Sequence, residues 1–295
     1  MPPAMSRAFG RFACIDWSGA RGERLPGIAV AECEGGDGAP RIVLPPGGRF
    51  WSRMDAFGWL AAHAMAGADI MIGIDFSPAF PFADRGAYFP GLPDPPADAR
   101  ALWADVERRA AADPHLAATS FVADPARAPC FRLGAVTGER FHAPGRNGRL
   151  RLVEQRAASG RPTSAFNLVG AAQVGLSSLT GMRLLHRLQG RVPVWPFDPV
   201  PREGPLIVEI YTSIAARQAL PGRRGTKMRT IEALNQGLAA LGSAPCPGAG
   251  PIDDHRSDAL LTAAWLRRAA ADPLLWRPEG MAAVRATEGW TFGVR

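Results

Sequence analysis

Acidic residues stand at or near the ends of three apolar, strand-like segments of this chain. Asp16 closes the run FACID, Asp75 closes IMIGID, and Glu209 lies inside LIVEIY. Aspartate is depleted in strands, and a buried carboxylate is costly without a partner, so acids at these positions need a cause. One cause is a turn, because Asp, Ser and Gly are turn formers and the segment DWSGARG contains all three.

A fourth carboxylate comes from the first turns of a predicted late helix, in the segment IDDHRSDALLTAAWL. Asp254, Asp258 and Leu261 fall on one side of this helix at spacings of four and three residues. Carboxylates that pack together repel one another, so a protein gathers them mainly where cations neutralise the cluster. Hard oxygen ligands of this kind suit Mg²⁺ or Mn²⁺, and two such ions together promote phosphoryl transfer.

Each acid also has a simpler interpretation. Asp16 and Asp75 could serve as turn or helix-cap residues, and Glu209 could pair with a buried arginine inside the protein. Asp254 and Asp258 could stabilise the start of their helix, where negative charge is favourable. The four acids therefore indicate a metal site only if they converge in space.

The elements that must position these acids are predicted from hydrophobic patterning. Residues 12–15, 27–33 and 41–44 read as antiparallel strands joined by short Gly-rich connections, and residues 70–74 as a strand buried on both faces. Ser52 and Asp55 resemble a capping box that opens a helix over about residues 53–66. We expect an α/β fold with a mixed five-stranded sheet in the order 3-2-1-4-5, flanked by helices, in which the Asp75 and Glu209 strands run parallel to the first.

A Pro-, Gly- and Arg-rich segment, 78–162, follows Asp75 and is interpreted as an insertion within a single domain of residues 1–295. It holds a predicted helix over residues 97–112, and eight arginines against two acids between positions 127 and 161. We expect it to lie beside the acids as a lid, with substrate phosphates bound by Arg146, Arg149 and Arg151. The alternative is a solvated surface loop.

Further candidate side chains carry weaker signals. Lys227 is the only lysine and could bind a phosphate, while His255 could assist proton transfer; both could equally be exposed side chains. Trp195 and Phe197 read as core residues. Small polar residues predicted to bind substrate in the cleft, or else only to allow close helix packing, are Ser18, Ser164, Asn167 and Gln173.

Composition bounds the protein's class and partners. The chain has 295 residues, 47% of them hydrophobic, and no apolar run long enough to span a membrane. The N-terminus lacks the layout of a secretory signal, so we expect a cytoplasmic protein with no membrane partner. Its four cysteines are scattered and read as free thiols, and its formal charge of +7 weakly favours polyanionic partners.

Several segments resemble the ribonuclease H-like fold. FACIDWSG resembles its first catalytic strand, IMIGIDFSP the parallel strand beside it, LIVEIYTS the late strand and DDHRSDALLTAAWL the closing helix. More narrowly, the chain is similar to a bacterial family of predicted ribonuclease H-like nucleases known as a domain of unknown function, which also has segments like FNLVGAAQVG, VWPFD and EGWTFGV. The resemblance spans nearly the whole chain and is weakest over residues 83–161.

This resemblance implies a two-metal nuclease that uses Mg²⁺ or Mn²⁺ to hydrolyse nucleic acid. The implied ligands are Asp16, Asp75, Glu209 and Asp258, with Asp254 able to share or replace Asp258, and Lys227 is a further candidate catalytic residue. The chain departs from the family where Thr212 and Ser213 stand in place of a frequent proline. The type of nucleic acid and the oligomeric state are left open.

Two rival functions remain at this point. The first is an actin-like or sugar-kinase-like phosphotransferase that uses ATP, since DWSGAR loosely fits a phosphate-holding loop. Against it, no second Gly-rich loop for adenosine is visible late in the chain. The second is a catalytically inert nucleic-acid-binding or scaffolding protein that keeps the acids as structural residues.

Overall fold

A mixed six-stranded sheet forms the centre of the protein, with helices on both faces. The computed structural model describes residues 7–144, 147–156, 163–170, 174–222 and 225–295. Within these ranges, no helix is long and apolar enough to cross a membrane.

Most strands of the chain come early and most helices late. The strands are β1 (Arg11–Asp16), β2 (Ala29–Glu34), β3 (Arg41–Val43), β4 (Ile70–Ile74), β5 (Arg132–Leu133), β6 (Val136–Thr137), β7 (Val194–Trp195) and β8 (Leu206–Glu209). The α-helices are α1 (Arg53–Met65), α2 (Ala99–Arg109), α3 (Thr119–Ala123), α4 (Leu152–Arg156), α5 (Val174–Leu188), α6 (Thr212–Ala219), α7 (Ile231–Ala240), α8 (Asp254–Ala269) and α9 (Met281–Val284). Strands β5 and β6 form a separate two-stranded hairpin.

The sheet has the order β3-β2-β1-β4-β8-β7. Strands β1, β2 and β3 are antiparallel, whereas β4 and β8 run parallel to β1, so the predicted order and directions of five strands are confirmed. This sheet has six strands, whereas five were predicted. Strand β7 pairs parallel to β8 over two residues only, between a loop and a proline, and is too short to show an alternating pattern in sequence.

Each face of the sheet contributes side chains to one of two hydrophobic clusters. Ala13 and Ile15 of β1 point to the cluster that contains residues of α1 and α5, whereas Phe12 and Cys14 point to the cluster with α8. This alternation follows from the two-residue period of a strand. In the paired register, Ile15 of β1 lies opposite Ile74 of β4, and Ile74 opposite Glu209 of β8, so these three side chains share one face.

Helix α1 begins as predicted. The Ser52 side chain accepts from the backbone N–H of Asp55, and the Asp55 carboxylate accepts from the backbone N–H of Ser52, which is a complete capping box. Arg53, at the first helical position, is 2% exposed and donates to the carbonyl oxygens of Ser18 and Ala20 at 2.6–3.1 Å. Helix α1 therefore fixes the loop that follows β1.

The described part of the segment 78–162 is built into the protein core. The aromatic rings of Phe80, Phe89, Phe121 and Phe131 pack together in the same cluster as Ile15 and Ile74. The segment's many aromatic residues bury it against the α1 and α5 side of the sheet, and its role as a lid beside the acids stays a prediction.

Candidate functional site

Asp16 and Asp75 lie side by side at the ends of two neighbouring parallel strands. The backbone N–H of Asp75 donates to the carbonyl oxygen of Ile15 at 3.0 Å, which continues the β1–β4 ladder past its last paired residues. One step beyond the Ile15–Ile74 pair, both aspartates point to the α8 side of the sheet. The carboxyl ends of parallel strands thus bring two carboxylates to one edge, as the sequence predicted.

Asp258 of α8 joins this pair from the helix that packs across β1 and β2. The residue is 7% exposed, as is Asp16. Burial raises the pKa of the Cys14 thiol well above the usual value, and the charges of Asp16, Asp75 and Asp258 raise it further. The charges of three of the predicted acids therefore affect the pKa of the same thiol, that of Cys14.

Each of the three carboxylates has a partner from another element. The Nδ1 atom of His255 lies 2.9 Å from an Asp16 oxygen, and the Thr212 hydroxyl donates to Asp75 at 3.0 Å. The Lys227 ammonium donates to Asp258. The sequence had identified Thr212 only as a departure from the family's proline, so its role as a hydrogen-bond donor was missed.

Burial raises the pKa of Asp75 to about 7, and the charge of Asp16 adds to this effect against the hydrogen bonds from Thr212. Burial also raises the pKa of Asp258 to about 6, although the hydrogen bond and the charge of Lys227 oppose the shift. Two of the three carboxylates are therefore destabilised in their ionised form, which a bound cation would relieve.

The pKa values of the two basic partners are also raised, which for a base favours the charged form. The hydrogen bond to Asp16 raises the pKa of His255, outweighing the effect of burial. Burial lowers the pKa of Lys227, but the hydrogen bond and the charge of Asp258 outweigh it and the net shift is upward. Both shifts favour the charged forms of these side chains, which lie against carboxylates of the cluster.

Exposed basic side chains lie near the acids of this site. Arg229, 76% exposed, reaches Asp254 at 3.3 Å, and Arg256, 53% exposed, reaches the α8 N-cap residue Asp253 at 3.3 Å. The Lys227 side chain is 46% exposed. Asp254 lies at the rim with Arg229 rather than among the buried carboxylates. The exposed cations near the acids thus come from α8 and the segment before α7.

Glu209 does not join the other acids. Both of its oxygens accept from the guanidinium of Arg151, at 2.5 and 2.9 Å, and one also accepts from the Thr291 hydroxyl. Its register with Ile15 and Ile74 turns it to the sheet face opposite Asp16 and Asp75. The structure therefore favours the alternative of a buried arginine partner over the predicted metal-ligand role, because a one-residue offset along a strand reverses the face.

Arg149 and Arg151 are not available to substrate phosphates. Arg149 is fully buried and donates to Asp84 and to backbone carbonyl groups, including those of Pro81 and Tyr88. Arg151 is 1% exposed and held between Glu209 and Glu154. The predicted phosphate-binding role of these two arginines is wrong, because their charges are neutralised inside the protein. Arg146 and Gln173 lie outside the described residues.

The small polar candidates divide into two groups. Ser18 lies near the acids: a Cβ atom added at Gly27 would come within 3.1 Å of the Ser18 hydroxyl and 3.5 Å of the His255 ring. Ser164 and Asn167 are 1% and 8% exposed and hydrogen-bond within their own loop, to Phe166 and Val169. Burial removes these two from any cleft surface, contrary to the prediction.

The donor set is suited to a hard divalent cation, but its arrangement is not that of a preformed site. Among the described residues, no three His, Cys, Asp or Glu side chains are placed so that they could hold one metal ion. Asp16, Asp75 and Asp258 instead point to separate partners, His255, Thr212 and Lys227. Cation binding would therefore require these carboxylates to exchange internal partners for the ion.

Comparison with known proteins adds no relative. No protein-family model, no curated protein and no solved structure matches this chain. The ribonuclease H-like resemblance therefore rests on the sequence segments that carry it.

Proposed function

We propose that the protein is a metal-dependent hydrolase of the ribonuclease H-like type that cleaves phosphodiester bonds in nucleic acid. The observation that carries the proposal is the position of Asp16 and Asp75 at the neighbouring ends of β1 and β4, close enough to Asp258 that, besides burial, the charge of Asp16 raises the pKa values of both Asp75 and Asp258. Carboxylates with raised pKa values in one place are typical of functional sites. The ion expected between them is Mg²⁺ or Mn²⁺, since all three donors are hard oxygens.

The chain's own residues prepare this site in distinct ways. The Thr212 hydroxyl and the His255 ring each bond one carboxylate and limit its rotation, as outer partners of metal ligands do. Lys227 and His255 place positive charge where a bound cation would add more, so ion binding would displace them from Asp258 and Asp16. When bound, divalent ions would activate a water molecule and neutralise charge on the phosphoryl oxygens.

The nucleic-acid substrate is supported by the exposed cations around the acids. Lys227, Arg229 and Arg256 are partly or largely exposed near the acids; the two arginines pair with exposed or half-buried acids, so each can contact a phosphate, whereas Lys227 would first have to leave the buried Asp258. They replace Arg149 and Arg151 as the proposed phosphate contacts. Glu209 is left out of the proposed ligand set, because Arg151 already occupies both of its oxygens.

The direct test combines metal binding with a cleavage screen. Calorimetry with Mn²⁺ on the wild type should show saturable binding, and Mn²⁺ should raise the melting temperature, because a ligand that binds only the folded state stabilises it. Asp16→Asn keeps the shape of the side chain but removes a charge, so it should lose most of both effects. Asp94→Asn, at an exposed position in the long segment after β4, is the matched control and should behave as wild type.

Cleavage is measured on single-stranded, duplex, hybrid and junction substrates with the same three proteins. We expect Mn²⁺-dependent cleavage by the wild type and by Asp94→Asn, and none by Asp16→Asn. A wild type that binds nucleic acid but neither binds Mn²⁺ nor cleaves would contradict the proposal and favour a scaffold. Binding of ATP without cleavage would contradict it in favour of a phosphotransferase.

A further inference from the structure

A second pocket lies well away from the carboxylates. It has a volume of about 310 Å³ and opens beside the edge strand β7, between the loop after β7 and the segment from Pro273 to Arg285. One of its walls is Arg7, which precedes β1 and pairs with Asp69, the residue before β4. None of the residues that line the pocket belongs to the carboxylate site of Asp16, Asp75 and Asp258.

The inner wall of this pocket is aromatic and apolar. The rings of Trp195 and Trp276 meet edge to face with centroids 5.9 Å apart, and both residues are at least nine-tenths buried. The remaining apolar lining is Pro196, Pro199, Val200, Pro273 and Met281. Walls of this kind accommodate a flat, apolar molecule, and the volume is at the lower end of the range of small-molecule sites.

The rim of the pocket is positively charged. Arg277 and Arg285 are both exposed, and no hydrogen-bond or ion-pair partner of the Arg277 side chain is found in the described ranges. The Nε–H of Arg285 donates to the carbonyl oxygen of Pro196 at 2.6 Å, which orients the guanidinium and leaves its two terminal nitrogens for a ligand. A guanidinium fixed in this way is prepared to bind a carboxylate or a phosphate through two parallel hydrogen bonds.

The other charges of the lining are already balanced. The Arg7 side chain is 11% exposed and donates to Asp69 and to the Pro201 carbonyl. The Asp198 carboxylate accepts from Arg100 and from the backbone N–H of Val194. Arg277 and Arg285 therefore give this pocket its net positive charge.

We propose that this pocket binds a small aromatic anion, with the ring against Trp195 and Trp276 and the anionic group at Arg277 and Arg285. A carboxylate and a phosphate monoester would use the same two guanidinium groups, so both are members of the class. This site is separate from the carboxylate site and does not depend on the proposed function.

The test uses calorimetry on the full chain in EDTA, so that no metal contributes. Benzoate represents the aromatic carboxylates and adenosine 5′-monophosphate the phosphate esters, with benzamide and adenosine as their neutral counterparts. We expect saturable binding of at least one anion, at least tenfold tighter than its neutral counterpart. The anion that binds identifies which of the two anionic groups the site prefers.

The double variant Arg277→Glu/Arg285→Glu should weaken that binding at least tenfold. Its melting temperature should fall only slightly, because both residues are exposed and one hydrogen bond, from Arg285 to the Pro196 carbonyl, is lost. Arg49→Glu is the matched control, since Arg49 is exposed and lies beyond β3 at the other edge of the sheet. Binding of neither anion, equal binding of the neutral compounds, or full binding by the double variant would each overturn the proposal.

Discussion

A proton on Asp75 distinguishes the folded from the unfolded chain over a wide pH range. Burial raises its pKa in the folded protein to about 7, with a further contribution from Asp16, whereas the unfolded value is about 3.9. The folded protein therefore retains a proton that the unfolded chain releases between these values. Asp75 therefore makes the free energy of unfolding decrease as the pH rises from about 4 to about 7, and this decrease ends above about pH 7.

Asp75→Asn removes this dependence while keeping an acceptor for the Thr212 hydroxyl. In EDTA, the free energy of unfolding of the variant should exceed that of the wild type by an amount that grows with pH. The growth should be at most about 1.4 kcal/mol per pH unit between about pH 4 and 7. Urea denaturation at four pH values measures it, with Asp94→Asn as control. Parallel curves for wild type and Asp75→Asn would show that Asp75 has an ordinary pKa.

Glu209 offers a sharp distinction between a structural acid and a metal ligand. Glu209→Gln leaves the buried Arg151 with only Glu154 as a charged partner, so we expect a loss of stability of about 3 kcal/mol. The same variant should bind Mn²⁺ as tightly as the wild type, because Glu209 lies on the other face of the sheet. Denaturation and calorimetry measure the two effects separately. Loss of Mn²⁺ binding equal to that of Asp16→Asn would restore Glu209 to the ligand set.

The fate of the four acids shows what residue types alone can predict. Asp16, Asp75 and Asp258 were found from their positions at the ends of apolar segments and at a helix start, and they meet as expected. Glu209 could not be assigned to a face, because the face depends on the register between β4 and β8, which local sequence does not determine.

At the scale of elements, the loop after β1 is held against helix α5 by a close backbone approach at Gly19. A Cβ atom at this position would come within 2.3 Å of the Ser177 nitrogen and 2.5 Å of the Leu176 carbonyl carbon, which are backbone atoms of α5. These atoms cannot move aside as the end of a flexible side chain can. The loop carrying Ser18 is thus placed by α5 on one side and by Arg53 of α1 on the other.

Gly19→Ala should therefore separate the loop from α5 and lower the free energy of unfolding by about 1–3 kcal/mol. Gly38→Ala is the matched control, because a Cβ atom at Gly38 meets no atom within 4 Å. Thermal and urea denaturation of both variants give the comparison. Equal stability of the two variants would mean that the loop and α5 can move apart without cost.

Element prediction succeeded where the sequence carries a local signal. The capping box placed the start of α1, and the apolar run 70–74 placed β4. Strand β7 was missed because two residues are too few for a pattern, and only its pairing with β8 makes it a strand. The packing of the segment 78–162 could not be predicted in detail, because its aromatic residues are spread widely along the chain and show no periodicity until they pack together.

At the scale of the whole molecule, the number of arginines in a segment did not predict which of them are exposed. The phosphate contacts predicted from that number differ from those that the exposed charges suggest. The richest basic stretch contributes Arg149 and Arg151 to internal ion pairs, which have no long-range effect on a polyanion. A sequence shows the number of charges but not their burial. The exposed Lys227, Arg229 and Arg256 lie instead beside the buried acids, and they form the electrostatic surface that a nucleic acid would meet.

This surface leads to a prediction about salt dependence. Each phosphate contact releases bound counterions, so log affinity decreases with log salt. The magnitude of this negative slope becomes smaller by nearly one for each contact removed. We expect Arg229→Gln/Arg256→Gln to weaken binding of a short duplex in EDTA and to reduce the magnitude of this slope by roughly 1–2. Fluorescence anisotropy at several salt concentrations measures both quantities.

The matched control is Arg49→Gln/Arg268→Gln, which removes the same charge from exposed positions away from the acids. Arg268 lies near the C-terminal end of α8, the helix whose first turn carries Arg256. These two arginines therefore share a helix and a residue type but differ in their distance from the acids. The control should shift affinity slightly through net charge and leave the slope unchanged, because no contact is lost. Equal slopes for the two double variants would mean that the duplex approaches another face of the protein, and Lys227, Arg229 and Arg256 would then lose their proposed role.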